Sequence, residues 1–299
     1  MSDRWRYGAV LLGLGLGWGM TQPLGKIAAS AGHGAYGLVV WQQVVCVIVL
    51  GTISLLRGRG LVFRRDALRF YLVVAVLGTV IPGMTFYTSI ARLPSGIMSI
   101  LISTIPLMAF PMAMGLGMDR FSGRRLAGLA LGLLAVGLIA LPGASLPDPA
   151  MVGFLPLALL GPFCYALEGS YVSRFGTAGM DAVQAMFGAA LVGLLICLPL
   201  MFWQGHQFMI PLPPGKAEWA LILSSAIHGL LYAGYVWLAA RAGAVFAAQT
   251  AYIVTASGVI WAMVLLGERF SPWIWAAAVL MLLGLALVQP RPARAAVSA

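Results

Sequence analysis

Long apolar stretches separated by short polar links make up almost the whole chain. Ten of them approach the ~20 residues that a helix needs to cross the hydrocarbon of a bilayer. They cover residues 6–29, 35–56, 70–91, 94–116, 125–142, 151–173, 181–203, 219–240, 244–266 and 272–289. Their apolar runs are continuous, unlike the alternating ~10-residue strands of a membrane barrel. The pattern predicts an all-α integral membrane protein with ten transmembrane helices, and the short links leave no room for a soluble domain.

Composition supports this class. Hydrophobic residues make up 61% of the chain and charged residues only 9%, against roughly 25% charged residues in a typical globular domain, so the chain cannot cover a soluble surface. The three cysteines, Cys46, Cys164 and Cys197, all lie in predicted spans without paired spacing. Buried cysteines without paired spacing usually pack as small apolar side chains. We therefore expect neither a disulfide nor a metal site, and no cofactor.

The basic residues predict the orientation of the chain. With the N-terminus in the cytoplasm, fourteen of the 18 Lys and Arg residues fall on the cytoplasmic side. The other four are Lys26, Arg92, Lys216 and Arg269. Because short cytoplasmic loops are enriched in Lys and Arg, both termini are predicted to be cytoplasmic, in a bacterial inner membrane. The net charge of +10 then reflects topology beside anionic lipid and does not indicate a nucleic-acid partner.

Two segments of the chain resemble each other. Residues 91–122 align without gaps to residues 240–271: both begin with Ala-Arg, and they end in MDRFS and GERFS. Five predicted crossings separate them, an odd number, so the copies would have opposite orientations. The sequence therefore predicts two inverted five-helix repeats, residues 1–145 and 146–299. Many secondary transporters obtain two similar gates around a midplane site from such repeats.

Three motifs resemble the drug/metabolite transporter superfamily, EamA type. They are WGMTQPLGK at 18–26, MDRFSGRRLAGLALG at 118–132 and LLGERFSPW at 265–273. The family often has Asn in the first motif, whereas this chain has no Asn, and Thr21 and Gln22 occupy that region. The resemblance implies ten helices, cytoplasmic termini and export of small metabolites. The aromatic content makes the chain most similar to the aromatic amino-acid and paraquat exporter group.

Polar and aromatic residues within the spans predict the substrate site. A charge or amide inside a membrane is costly unless it faces the protein interior or a cavity, and Glu168 is the only carboxylate well within a span. His228, Tyr232 and Tyr235 share one helix face by their spacing. Aromatic faces with a few donors and acceptors suit an amphipathic or flat cationic solute. The predicted site consists of Trp18, Gln22, Tyr87, Ser103, Tyr165, Glu168, His228, Tyr232, Tyr235, Gln249 and Tyr252.

Three charged residues are candidates for coupling or gating: Glu168, Lys26 and Arg174. Glu168 either carries a coupling proton or is a fixed partner of Lys26, Arg174 or a substrate ammonium. Lys26 and Arg174 either act at gates or only extend to the membrane interfaces. The sequence leaves these alternatives open, and protons are therefore one of the possible partners.

Helix-breaking residues inside the spans predict hinges. They are Pro23, Pro82, Gly83, Pro106 and Pro111. Proline removes a backbone hydrogen bond and permits a helix to bend.

The motifs do not support an enzyme. The glycine-rich GLGLGWG at 13–19 lies within an apolar helix instead of following a strand, and PPGKAEW at 213–219 lacks the spacing of a phosphate loop. The leading hypothesis is a secondary transporter that exports amino acids, aromatic or amphipathic, and flat cationic drugs by alternating access. The alternatives are a nucleobase, sugar or other metabolite carrier, an uncoupled facilitator, and a lipid flippase. Monomer and homodimer are both compatible with the sequence.

Overall fold

A computed structural model of the chain describes residues 3–117, 120–140, 146, 148–242, 246–247 and 249–288. Within these ranges the regular structure is helical, without strands. The helices are α1 (Asp3–Ala29), α2 (Ala35–Leu56), α3 (Arg65–Ala75), α4 (Ile81–Ile90), α5 (Ser95–Ile102), α6 (Ile105–Gly115), α7 (Gly123–Ala140), α8 (Leu155–Phe175), α9 (Ala182–Trp203), α10 (Lys216–Ala242), α11 (Thr250–Leu266) and α12 (Pro272–Val288). A π-helix, Val76–Val80, joins α3 to α4, and a 3-10 helix, Pro149–Phe154, precedes α8.

Seven segments of the described chain are long and apolar enough to cross a membrane. They are Ala35–Leu56, Arg65–Ile90, Ser95–Gly115, Gly123–Ala140, Pro149–Phe175, Ala182–Trp203 and Lys216–Leu238. The apolar helices α11 and α12 are shorter, and α1 has 27 residues. Every predicted span overlaps one or more helices. The chain is thus an all-helical, multi-pass membrane protein, while ten crossings and cytoplasmic termini remain predictions.

Two predicted spans are interrupted where a proline lacks its N–H group. In a regular α-helix the residue at position 82 donates its N–H to the Gly78 carbonyl, but Pro82 has no N–H group. The π-helix Val76–Val80 lies at this point. Pro106 likewise has no N–H group for the carbonyl of Ile102, which is the residue where α5 ends. Because proline also clashes with the carbonyl four residues earlier, it displaces the helix from regular geometry at these points. The other predicted hinge prolines, Pro23 and Pro111, lie inside continuous helices.

The most extensive helix packing joins the first half of the chain to the second. Helix α1 packs against α10 and α11, α2 against α9, α7 against α12, and α8 against α4 and α6. At the α7–α12 contact, a Cβ on Gly128 would lie 2.7 Å from the carbonyl oxygen of Gly284. Small residues let helix backbones approach closely in a membrane, where packing replaces the hydrophobic effect. Gly128 therefore allows α7 of the first half and α12 of the second half to pack closely.

A polar contact joins the α2–α3 loop to the start of α9. Asp181 caps α9, because its carboxylate accepts hydrogen bonds from the N–H groups of Val183 (2.9 Å) and Gln184 (3.2 Å). Arg59 donates to the same carboxylate at 2.8 Å, and Arg57 at 3.5 Å. Partial burial acts to raise the pKa of Asp181, but the Gln184 and Val183 amides together with Arg57 and Arg59 hold this pKa below its usual value.

We expect Asp181→Ala to lower the thermal unfolding midpoint in detergent at neutral pH, because losing an N-cap costs about 1 kcal/mol. The folded-state pKa is lowered, so the stabilisation is fully present above the ordinary carboxyl pKa near ~4 and is lost as pH falls through the folded-state value. The difference between variant and wild type should therefore shrink in acid. Asp66→Ala is the control, since Asp66 is exposed and pairs only with Arg64 among the described ion pairs. Equal midpoints for Asp181→Ala and wild type at pH 7 would contradict the capping role.

Candidate functional site

A cavity of about 330 Å³ lies at the centre of the helix bundle. Its walls come from α1, α2, α4, α5, α6, α8, α10 and α11. The volume is at the lower end of the ~300–1,000 Å³ that is usual for sites of small organic ligands. The aromatic lining residues are Trp18, Phe86, Tyr87, Tyr165, Tyr232 and Tyr235. Glu168 is the acidic residue of the described lining, which includes no Lys or Arg.

Most residues of the predicted site lie around this cavity. They are Trp18, Gln22, Tyr87, Tyr165, Glu168, His228, Tyr232 and Tyr235, together with the predicted hinge residues Pro82, Gly83 and Pro106. Ser103, Gln249 and Tyr252 are not among the lining residues. The hydroxyl of Ser103 instead hydrogen-bonds to that of Thr255, where α5 and α11 pack together. These three residues were predicted to line the cavity, and the structure does not place them in its wall.

Several polar residues of the wall were not predicted. They are Thr21, Gln42, Thr85, Ser224 and Thr250. Gln42 had a signal in the sequence, since an amide within an apolar span is uncommon. The small hydroxyl residues had none, because Ser and Thr often bond to the carbonyl three or four residues earlier in their own helix. Thr85 makes such a bond, donating to the Pro82 carbonyl at 3.1 Å.

The carboxyl group of Glu168 is buried at the cavity wall, with 2% of the residue exposed. The hydroxyl of Tyr232 donates a hydrogen bond of 2.6 Å to its Oε1. Trp18 packs on the same side against the rings of Tyr232 and Tyr235, with ring centroids 6.4 and 5.6 Å apart. No ion pair of the described residues includes Glu168. The carboxyl group is therefore hydrogen-bonded on one side and lacks a basic partner.

The π-helix provides the space for this carboxyl group. A Cβ on Gly78 would lie 2.5 Å from Oε2 of Glu168 and 2.7 Å from its Cδ, closer than van der Waals contact allows. π-helical turns frequently occur at functional sites. Here the π-helical turn places a glycine, Gly78, against the carboxyl group of Glu168.

Two polar groups of the cavity wall have no hydrogen-bond partner among the described residues. They are Oε1 of Gln22 and Oγ1 of Thr250, and their residues are 5% and 3% exposed. A buried polar atom without a partner costs free energy, so an exception on a cavity wall indicates a place for a ligand atom. Gln22 lies on α1 and Thr250 begins α11.

Opposite charges hold the α4–α5 loop at the end of the bundle where α1 ends. The ammonium of Lys26 donates to the carbonyls of Ala91 (3.2 Å) and Leu93 (3.0 Å). The carboxylate of Glu268 accepts from Ser95 N (2.8 Å), Ser95 Oγ (3.0 Å) and Gly96 N (3.1 Å). A cation thus meets the carbonyls at the end of α4 and an anion meets the amides at the start of α5, as the helix dipoles favour. We call these contacts the α4–α5 clamp.

The remaining candidates for gating lie elsewhere. Arg174 donates to the Leu116 carbonyl at 3.2 Å, at the end of α6. Neither Lys26 nor Arg174 lines the cavity or pairs with Glu168 in the described structure. Asp119, the counterpart of Glu268 in the MDRFS motif, lies outside the described residues. Sequence reasoning did not assign Glu268 to the site, although the repeated motif pointed to it.

The family model of EamA-like transporters matches the chain twice, at residues 6–141 and 154–289. The chain belongs to the EamA-like transporter family. A membrane transporter of small molecules is therefore the function that the family implies, in agreement with the absence of enzyme motifs. The two matched segments show that this EamA-like transporter consists of two repeats.

A solved structure supports the same fold. It is described only as a crystal structure of a protein, and it superposes with a TM-score of 0.65 at 16% identity, covering 94% of this chain and 98% of its own. At this identity the likeness concerns the fold alone. No curated protein matches the sequence significantly. The particular likeness to aromatic amino-acid and paraquat exporters therefore stays a hypothesis.

In this EamA-like transporter, we expect Gly78→Ala to reduce transport about tenfold and to lower the thermal unfolding midpoint by a few degrees. The new methyl group would displace the end of a flexible side chain and break the Tyr232–Glu168 hydrogen bond, which is worth about 1–3 kcal/mol. Gly137→Ala is the control, because no atom lies within 4 Å of the position that the new methyl group would take on α7. Unchanged transport by Gly78→Ala would show that the position of the carboxyl group does not matter.

Glu268→Gln tests the α4–α5 clamp. A glutamine keeps one acceptor oxygen but places an N–H₂ group against an N–H donor, so part of the clamp is lost. We expect the thermal midpoint to fall by several degrees, since hydrogen bonds to charged groups contribute about 1.5–3 kcal/mol. Asp66→Asn is the control, because Asp66 is exposed and pairs only with Arg64 among the described ion pairs. A midpoint equal to that of wild type would rule out a stabilising clamp.

Proposed function

We propose that the protein is a secondary transporter that exports aromatic or amphipathic amino acids and flat cationic solutes from the bacterial cytoplasm. The observation that carries this proposal is the central aromatic cavity with one buried carboxyl group, Glu168, and no Lys or Arg in its described lining. A carboxylate without a basic partner favours a positively charged ligand group, and aromatic rings attract cations through their π-faces. The ammonium of an amino acid and a flat organic cation both satisfy these conditions.

The shape of the wall supports a ligand with an aromatic or aliphatic part. Trp18, Tyr232 and Tyr235 form one connected group of rings beside Glu168. Aromatic pairs and ring–aliphatic contacts add to the burial of apolar area. A neutral nucleobase or sugar would leave the Glu168 carboxyl group without a charged partner, and a lipid would require an opening to the bilayer. The substrate class is therefore better matched by an amphipathic amine than by these alternatives.

Inverted repeats support alternating access. The two repeats of the family model would have opposite orientations if five spans separate residues 91–122 from residues 240–271, as the sequence predicts. Each half then contributes a gate, and the cavity lies between them. We propose that Lys26 and the α4–α5 clamp belong to the periplasmic gate and Arg174 to the cytoplasmic one. Pro82, Gly83 and Pro106 line the cavity at helix interruptions and are the proposed hinges.

Glu168 is also the proposed proton carrier. A group that binds either a proton or a substrate ammonium links the two fluxes, because both cannot occupy it at once. An uncoupled facilitator has no need of such a group, so the response to a proton gradient distinguishes the two mechanisms.

Uptake into proteoliposomes tests the proposal. Radiolabelled Phe, Trp and a small neutral amino acid are supplied with and without a proton gradient. We expect uptake of Phe and Trp, competition by aromatic compounds only, and stimulation by the gradient. Glu168→Gln should abolish the stimulated part, because the glutamine amide cannot exchange a proton at this position.

Asp66→Asn is the matched control, since it removes an exposed carboxylate that does not line the cavity. Uptake that ignores the gradient in the wild type would contradict coupling and leave a facilitator. Uptake of none of the three amino acids would contradict the substrate class.

A further inference from the structure

The first turn of α11 faces the cavity. Thr250 and Ala251, its first two residues, are both in the cavity wall. Oγ1 of Thr250 has no hydrogen-bond partner among the described residues, and the residue is 3% exposed. The O–H group of Thr250 is therefore free to donate a hydrogen bond at the start of α11.

The start of α11 carries a positive potential that its own sequence does not neutralise. The first N–H groups of a helix lack acceptors one turn earlier and form the positive end of the helix dipole. In α11 the third of them, the N–H of Tyr252, already donates to the Gln249 carbonyl at 3.1 Å. The N-cap residue, Gln249, makes no side-chain capping bond, and the first turn contains no acidic residue. At Asp181, by contrast, a carboxylate caps α9. A helix start of this kind favours an anionic group from a ligand.

A second helix also begins at the cavity but lacks these properties. Ile105 and Pro106 of α6 line the wall. Pro106 has no N–H group to offer, and the hydroxyl of the N-cap residue Thr104 already donates to the Leu101 carbonyl at 2.7 Å. The start of α11 is therefore the better position for an anion.

We propose that Thr250 and the first turn of α11 bind the carboxylate of an amino-acid substrate whose ammonium group lies at Glu168. This inference rests on the proposed transport of amino acids and assigns a subsite to it. Glu168 on α8 and Thr250 on α11 both line the cavity, so the ammonium and the carboxylate of a zwitterion, which are attached to the same carbon, would each have a complementary group there. The aromatic side chain would then contact the group of rings at Trp18. Amino acids should be preferred over the amines that lack only the carboxylate.

The test compares L-phenylalanine with phenethylamine, which is the same molecule without the carboxylate. Isothermal titration calorimetry on the purified full chain in nanodiscs gives both dissociation constants. In the wild type we expect phenylalanine to bind at least tenfold more tightly. Thr250→Val should weaken phenylalanine binding about tenfold, since it removes a hydrogen bond to a charged group. It should leave phenethylamine binding unchanged, and Thr250→Ser should restore phenylalanine binding.

Thr88→Val is the control, because the Thr88 hydroxyl donates to the Met84 carbonyl and does not face the cavity. Equal affinity of the wild type for the two ligands would overturn the subsite. So would an equal loss of affinity for both ligands in Thr250→Val, because that result would indicate that Thr250 has only a packing role. In either case binding of phenylalanine would still support the proposed substrate class. Failure of phenylalanine to bind at all would overturn both the substrate class and the subsite.

Discussion

A carboxyl group buried among apolar helices is the constraint on which the centre of this protein depends. Lipid offers no hydrogen-bond partners, so every polar group at this depth must be satisfied by the protein or by a ligand. Glu168 on α8 is satisfied by Tyr232 on α10 and fits against Gly78 in the π-helix. The π-helix in turn precedes Pro82, whose missing N–H group interrupts the regular helix. Features from three spans thus meet at one side chain.

The same rule explains the charged residues at the helix ends. Lys26 meets carbonyls at the end of α4, Arg174 meets the carbonyl at the end of α6, and Glu268 meets amides at the start of α5. Each charge lies at the helix terminus of opposite potential, where it satisfies groups that the helix itself leaves without partners. The start of α11 differs, because no side chain of its first turn supplies an anion. In the proposed mechanism the substrate supplies it.

The sequence predicted the features that depend on one helix at a time. Hydropathy predicted the helical spans, and helical spacing placed His228, Tyr232 and Tyr235 on one face, which the structure shows turned to the cavity. Positions that depend on neighbouring helices were missed. Periodicity predicts a face but not the helix that the face contacts, so Ser103 was expected in the cavity and instead meets Thr255 of α11. The role of Gly78 was equally hidden, since a glycine within an apolar span has many possible packing partners.

A crystal structure with 4-bromo-L-phenylalanine tests the central claim most directly, because anomalous scattering locates bromine without relying on the shape of the density. Bromine is expected in the central cavity, beside the rings of Trp18 and Tyr235, with the amino group of the ligand within hydrogen-bond distance of Glu168. Bromine only at the lipid-facing surface, with an unoccupied cavity, would contradict the assignment of this cavity as the substrate site.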